Sequence, residues 1–278
     1  MSNNVLLAAI FLALFATCQT PPDSVDRGQL VWYDEFNYEG GPDSALWVYH
    51  EGDGCPTLCG WGNNELQYYT SREKNIRVED GKLVIEAHQE NLGTREYTSA
   101  KIQSRKGSIP RYAYIEVRAR LPWGRGTWPA VWMLPDSALY GGWPRSGEID
   151  IMEHVGFDPG VVHGTVHTEA FNHMRGTQVG KQKKVPDAGE AFHVYAVDWT
   201  AQRIVFLIDD VEYHVFENNG SGTDAWPFDH PFHIILNLAV GGNWGGQQGV
   251  DPSVWPQRFE IDYVRVYSPR GEQSTETP

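Results

Sequence analysis

No stretch after residue 25 carries the three-to-four-residue apolar spacing of an amphipathic helix, and this constrains the fold more than any motif does. Short alternating segments recur instead: 82–88 (KLVIEAH), 112–121 (YAYIEVRARL), 148–153 (EIDIME), 192–199 (FHVYAVDW), 203–208 (RIVFLI), 231–238 and 259–267 (FEIDYVRVY). Gly, Pro, Asn and Asp punctuate them, as turns between strands require. Strands at this spacing with no helices between them predict an all-β, antiparallel sandwich of jelly-roll type. There is no internal repeat and no Ser/Gly linker, so residues 28–267 read as one domain, a size that sandwiches reach undivided. The polar tail 268–278 (SPRGEQSTETP) has too little apolar content to order itself.

The front of the chain reads differently. Residues 5–16 (VLLAAIFLALFA) form an apolar run too short to span a bilayer and suited to an export signal. Cys18 follows, then the polar stretch QTPPDSVD, which resembles a loose lipoprotein box with a tether. Residues 1–27 are therefore read as an export segment, giving an extracellular or cell-envelope location. Lipid attachment at Cys18 and ordinary signal cleavage both stay open, and Cys18 is the only membrane contact expected. Cys55 and Cys59 in GDGCPTLCGWG suit a small disulfide in an exported protein, leaving Cys18 as the odd cysteine. Zinc at this pair lacks a second pair of ligands at suitable spacing.

Charge limits the partners. With 22 Lys and Arg against 36 Asp and Glu, the formal charge is −14, which disfavours nucleic acid and heavily sulfated polysaccharide. The chain also holds 11 Trp, 13 Tyr and 11 Phe, more than a core of this size needs. Flat aromatic faces match the C–H faces of sugars. A neutral glycan fits both features, and a monomer is expected to suffice.

The informative segment is 147–156 (GEIDIMEHVG). Side chains alternate along a strand, so Glu148 and Asp150 share one face while Ile149 and Ile151 face the core. Glu153 stands at an odd offset from Glu148, and a regular strand would send it inward. A bulge at Met152, one extra residue, restores the phase and brings the third acid onto the same face. Three clustered carboxylates raise one another's pKa, which a structural role gives no reason to retain. Retaining glycoside hydrolysis does: it needs a carboxylate nucleophile beside a protonated carboxylic acid. An exposed acidic sheet edge is the alternative for this segment alone.

E-I-D-I-M-E resembles the catalytic signature of glycoside hydrolase family 16, in its laminarinase-like branch, which carries the extra bulged residue. The resemblance runs through DEF (34–36), GNNELQYYT (62–70), DGKLVIEA (80–87), LPWGRGTWPAVWMLP (121–135), GTVH (164–167), NLAVGGNW (237–244) and IDYVRVY (261–267). It implies a jelly roll with a concave substrate cleft, Glu148 as nucleophile, Asp150 as its electrostatic helper and Glu153 as general acid/base, with no catalytic cofactor. It also implies sugar contacts from Asn63, Trp128, Trp132 and His167, with Asn243 and Trp244 in a bordering glycine-rich loop. Trp123 reads either as an outer stacking platform or as a loop cap. His163 shares the face of His167, and Asn64 reads as a turn residue. Glu35, Gly81 and Asp262 match positions that hold a structural Ca2+ in relatives, all oxygen donors suited to a hard cation.

An endo-β-1,3-glucanase is the implied activity. A mixed-linkage 1,3-1,4-β-glucanase and agarase- or carrageenase-like relatives are the enzymatic alternatives. A non-catalytic β-glucan-binding protein on this fold would typically lack one or both glutamates, and this chain retains all three acids.

Overall fold

The computed structural model describes residues 27–269. The export segment up to residue 26, with Cys18, and the tail from residue 270 lie outside the described residues.

The strands in chain order are β1 (Leu30–Asp34), β2 (Trp47–His50), β3 (Gln67–Tyr69), β4 (Ile76–Glu79), β5 (Lys82–Leu92), β6 (Arg95–Ser99), β7 (Lys101–Ser104), β8 (Ala113–Arg120) and β9 (Thr127–Pro135). They continue as β10 (Glu148–His154), β11 (Val161–His167), β12 (Val179–Lys184), β13 (His193–Trp199), β14 (Arg203–Ile208), β15 (Val211–Glu217), β16 (Phe232–Val240) and β17 (Gln257–Tyr267). All seven segments singled out by alternation are strands. Two short 3-10 turns, Cys59–Gly62 and His173–Arg175, are the helical elements among the described residues.

One sheet runs β15-β14-β13-β8-β17-β5-β6-β3, with β1 on β17 and β4 on β5. The other runs β12-β11-β10-β9-β16-β7-β2. Pairing is antiparallel except between β3 and β6. In both sheets a run of consecutive strands gives way to neighbours distant in sequence, β8 beside β17 and β9 beside β16, as jelly-roll crossovers require. Between the sheets lies a continuous apolar core that includes Trp47, Trp199, Phe206, Phe228, Phe232 and Phe259. Each such side chain contributes about 1.5–3 kcal/mol by leaving water.

The seven-stranded sheet positions the cleft. Its inner face carries Ile102, Val131, Met133, Ile149, Val162, Val166, Leu236 and Leu238. Period-two alternation then sends Lys101, Trp128, Ala130, Trp132, His163, Thr165, His167, Asn237 and Ala239 to the outer face. Alternation breaks where the acids require it. Against β9, Asp150 pairs with Trp132 and the next pair is Met152 with Val131, so Ile151 is extra. Against β11, Asp150 pairs with Thr165 and the next pair is Glu153 with His163, so Ile151 and Met152 together oppose Gly164. Both of these side chains enter the core. The bulge thus spans Ile151 and Met152, one residue broader than the expectation of Met152 alone. Gly164 is required opposite it, because a Cβ there would sit 2.3 Å from the Tyr213 hydroxyl and 2.7 Å from Phe206 Cδ1.

Candidate active site

The bulge leaves Glu148, Asp150 and Glu153 lining one cleft of about 510 Å³ on the outer face of the seven-stranded sheet. Neighbouring strands set what each acid meets. Glu148 stands opposite His167 and Glu153 opposite His163 on β11, while Ala130 on β9 faces Glu153 and leaves space above the floor.

Each glutamate has an indole donor. Trp128 Nε1 donates to Glu153 Oε1 at 3.0 Å, and Trp143 Nε1 donates to Glu148 Oε2 at 2.7 Å. His167 Nε2 lies 3.3 Å from Asp150 Oδ2 and 3.9 Å from Glu148 Oε1. Asp150 is only 2% exposed, whereas the Glu148 side chain is 15% exposed and faces the cleft. Burial raises all three carboxyl pKa values, Glu148 to about 8 and Glu153 to about 7, with Asp150 adding to the rise of Glu148. Three charges therefore do not coexist here at neutral pH. Asp150, the most buried, lies close enough to Glu148 to share a hydrogen bond. The Trp143 N–H favours the ionised form of Glu148. The arrangement offers a carboxylate and a carboxylic acid to one bound ligand.

The walls are aromatic. Trp244 packs edge-on against Trp128 (centroids 5.6 Å apart) and against His163 (4.8 Å). Trp132 Nε1 donates to Asn237 Oδ1 at 2.7 Å, which fixes the indole on the floor. Asn63 lines the cleft, and its carbonyl accepts from the Asn243 amide at 2.7 Å. Asn64, at φ 56°, donates from Nδ2 to Asn243 Oδ1 at 2.8 Å, so it ties the two bordering loops together as a turn residue. Gly242 at the junction has φ +78° and lies against Trp128 and the Asn63 carbonyl.

Of the two readings open for Trp123, its packing fits the loop cap. Its indole lies against Gly189, where an added Cβ would be 2.1 Å from Nε1, and it does not line the cleft. At 38% exposure it covers a loop. Sequence reasoning also missed residues. Trp143 touches Glu148 from the preceding loop, and its position five residues ahead of that acid was the available signal. His173 stands 5.0 Å from Trp143 and 5.2 Å from His167 by ring centroids. Trp61, Glu65 and Lys101 complete one end of the cleft.

The expected calcium donors lie on the other sheet. The Glu35 carboxylate accepts from Arg265 Nε and Nη2 at 2.7 and 2.8 Å, and Asp262 accepts from Arg118. These arginines already neutralise both carboxylates. Asp262 also sits in a bulge, with the register against β8 shifting between Ile261 and Tyr263, so its main-chain groups leave the regular ladder. Cys55 and Cys59 form a disulfide, closing the loop that precedes Trp61.

The family profile for glycosyl hydrolases family 16 matches residues 63–265. A β-glucanase of Rhodothermus marinus is 51% identical over 276 residues, covering 96% of this chain and 94% of its own. The X-ray structure of the laminarinase from Rhodothermus marinus aligns with a TM-score of 0.82 at 54% identity, covering 86% of this chain and 96% of that one. A mutant of SCLam, a non-specific endo-β-1,3(4)-glucanase, co-crystallised with 1,3-β-D-cellotriosyl-glucose, aligns with a TM-score of 0.82 at 46% identity, covering 88% and 95%.

Proposed function

Since the chain belongs to glycosyl hydrolases family 16, we propose that it is a retaining endo-β-glucanase hydrolysing internal 1,3-β-D-glucosidic bonds of laminarin-type glucans. The observation that carries this reading is the Ile151–Met152 bulge, which turns Glu153 onto the face of Glu148 inside an aromatic-walled cleft.

The roles are those that the family signature implies for each acid. Glu148 attacks the anomeric carbon as the carboxylate, held by the Trp143 N–H, with His167 and Asp150 beside it. Glu153, in the position that the family signature gives the general acid, carries a proton to the leaving glycosidic oxygen. The bond from anomeric carbon to leaving oxygen breaks as the bond to Glu148 forms. Glu153, now ionised and accepting from Trp128, then takes a proton from water, whose oxygen displaces Glu148 with overall retention. No cofactor enters these steps.

Similarity to SCLam favours a second reading, cleavage of mixed 1,3-1,4 linkages as well. Product analysis on laminarin, lichenan and agarose side by side separates the readings. Release of β-1,3-oligosaccharides from laminarin well ahead of the other two supports the proposal. Equal rates on lichenan support the second reading, and inactivity on both glucans overturns both.

Two further parts of the proposal rest on chemistry alone. Export is supported by the 5–16 apolar run and by the Cys55–Cys59 disulfide, which suits an oxidising compartment. Mass spectrometry of the mature N-terminus, for cleavage and for lipid on Cys18, tests it. A structural Ca2+ at Glu35, Gly81 and Asp262 would share the Glu35 carboxylate with Arg265, which occupies both its oxygens, and take the Asp262 oxygen that Arg118 leaves free, with the bulged main chain at Asp262 supporting the idea.

A further inference from the structure

One cation in the cleft has no part in the steps above. Lys101 opens β7 and is 8% exposed, with its side chain on the outer face of the sheet. Its Nζ lies 4.6 Å from the Trp61 ring centroid and 4.8 Å from that of Trp132. Two indole faces hold the charge, yet neither supplies a hydrogen-bond acceptor of the kind three N–H donors need. Among the described residues no carboxylate lies within ion-pair distance of Nζ, and Glu65 and Glu148 act on it only through space. Glu65 is satisfied elsewhere: its Oε2 accepts from Gln67 Nε2 at 2.6 Å and from the Tyr69 hydroxyl at 3.2 Å. The Tyr69 hydroxyl accepts in turn from Asn237 Nδ2 at 3.1 Å, and Asn237 holds Trp132. An ammonium held between two rings takes its acceptors from whatever occupies its open side. The open side of Lys101 is the cleft.

We propose that Lys101 is a specificity-determining residue of the cleft, donating to a hydroxyl oxygen of the glucosyl unit laid over Trp132. This inference rests on the glucanase reading and adds to it a residue that reads hydroxyl position at the end of the cleft where Asn63 lies. The aromatic sandwich leaves the ammonium little freedom, so an acceptor displaced around the sugar ring loses the contact. Burial supports the assignment by pulling the Lys101 pKa down to about 8, against the opposing pull of Glu65 and Glu148. The charged and titratable groups facing Lys101 are Glu65, His50 on β2 and Glu148.

The test uses the full chain with Lys101→Met, which keeps length and apolar contact, and Lys101→Arg, which restores the charge. Both are assayed on β-1,3-gluco-oligosaccharides of increasing length, with thermal unfolding as the check on folding. Lys101→Met is expected to lose about tenfold or more in kcat/KM on the longer substrates, the size of one charge-assisted hydrogen bond. Lys101→Arg should recover most of the loss. A folded Lys101→Met protein with native kcat/KM overturns the proposal. Wild-type protein with 13C-labelled lysines gives a second readout that needs no variant to fold. Adding β-1,3-linked glucotetraose should shift the Lys101 Cε resonance, and an unchanged resonance at saturating ligand overturns the contact. Wild-type inactivity on every glucan would sink the parent reading, whereas the NMR shift would still report the contact.

Discussion

Replacing Trp128 with Phe removes one hydrogen bond from the acid end of the cleft and leaves a ring in place. The indole Nε1 donates to Glu153 Oε1 at 3.0 Å, opposing the burial that raises this carboxyl to about 7. A hydrogen bond to a charged group is worth about 1.5–3 kcal/mol, and one pKa unit corresponds to about 1.4 kcal/mol, so its loss amounts to roughly one to two units. The bond has ordinary length and the cleft admits water that can replace the donor, which favours the lower end, about one unit. The sign is fixed: the N–H stabilises the ionised form, so removing it raises the pKa further. Glu153 must be protonated to release the leaving group, and activity is lost as pH rises through its pKa. The basic limb of kcat against pH, measured on laminarin by reducing ends, should therefore move up by about one unit in Trp128→Phe. An unmoved basic limb, or a shift of the acidic limb instead, would show that Glu153 is not the acid.

The matching change at the other glutamate is Trp143→Phe, which removes a 2.7 Å donor from Glu148 Oε2. It should lower kcat and move the acidic limb up by about one unit, leaving the basic limb in place; a change in KM alone would reduce Trp143 to a sugar platform. Ala130, opposite Glu153 on the floor, keeps the space for sugar. Ala130→Leu should cut kcat/KM about tenfold or more with little change in Tm, because the side chain projects into the cleft rather than the core; native kinetics would mean the substrate does not lie there. For calcium, EDTA-stripped protein should gain Tm on adding Ca2+, by about 2–4 °C per kcal/mol of binding. A constant Tm withdraws the cation at Glu35, Gly81 and Asp262.

Much of this was legible because the governing rules are local. Alternation marked the seven strongest strands, and the odd spacing from Glu148 to Glu153 demanded a bulge that the register shows at Ile151–Met152. Where local rules were silent, the sequence was too. β12 (VGKQKK) has no apolar face to alternate, since it is an exposed edge strand whose lysines guard against further pairing. β9 carries Pro129 in a central position, which propensity opposes, yet it pairs on both sides. Trp143 and Trp61 reach the cleft from loops whose course is set by tertiary packing. Lys101 reads as a solvated strand residue until its two indole neighbours are seen. Trp123 stayed open between two readings because only the folded chain brings Gly189 against its ring.

The central claim is that the bulged strand presents Glu148 as the attacking carboxylate, with Glu153 as its proton donor in the same cleft. Trapping tests it most directly: a β-1,3-linked glucobiosyl fluoride with fluorine in place of the reacting ring's 2-hydroxyl is incubated with the protein, which is then digested and sequenced by mass spectrometry. The account predicts one glycosyl adduct, on Glu148, alongside release of β-configured reducing ends from laminarin. An adduct on Glu153, or α-configured products with no adduct, would contradict it.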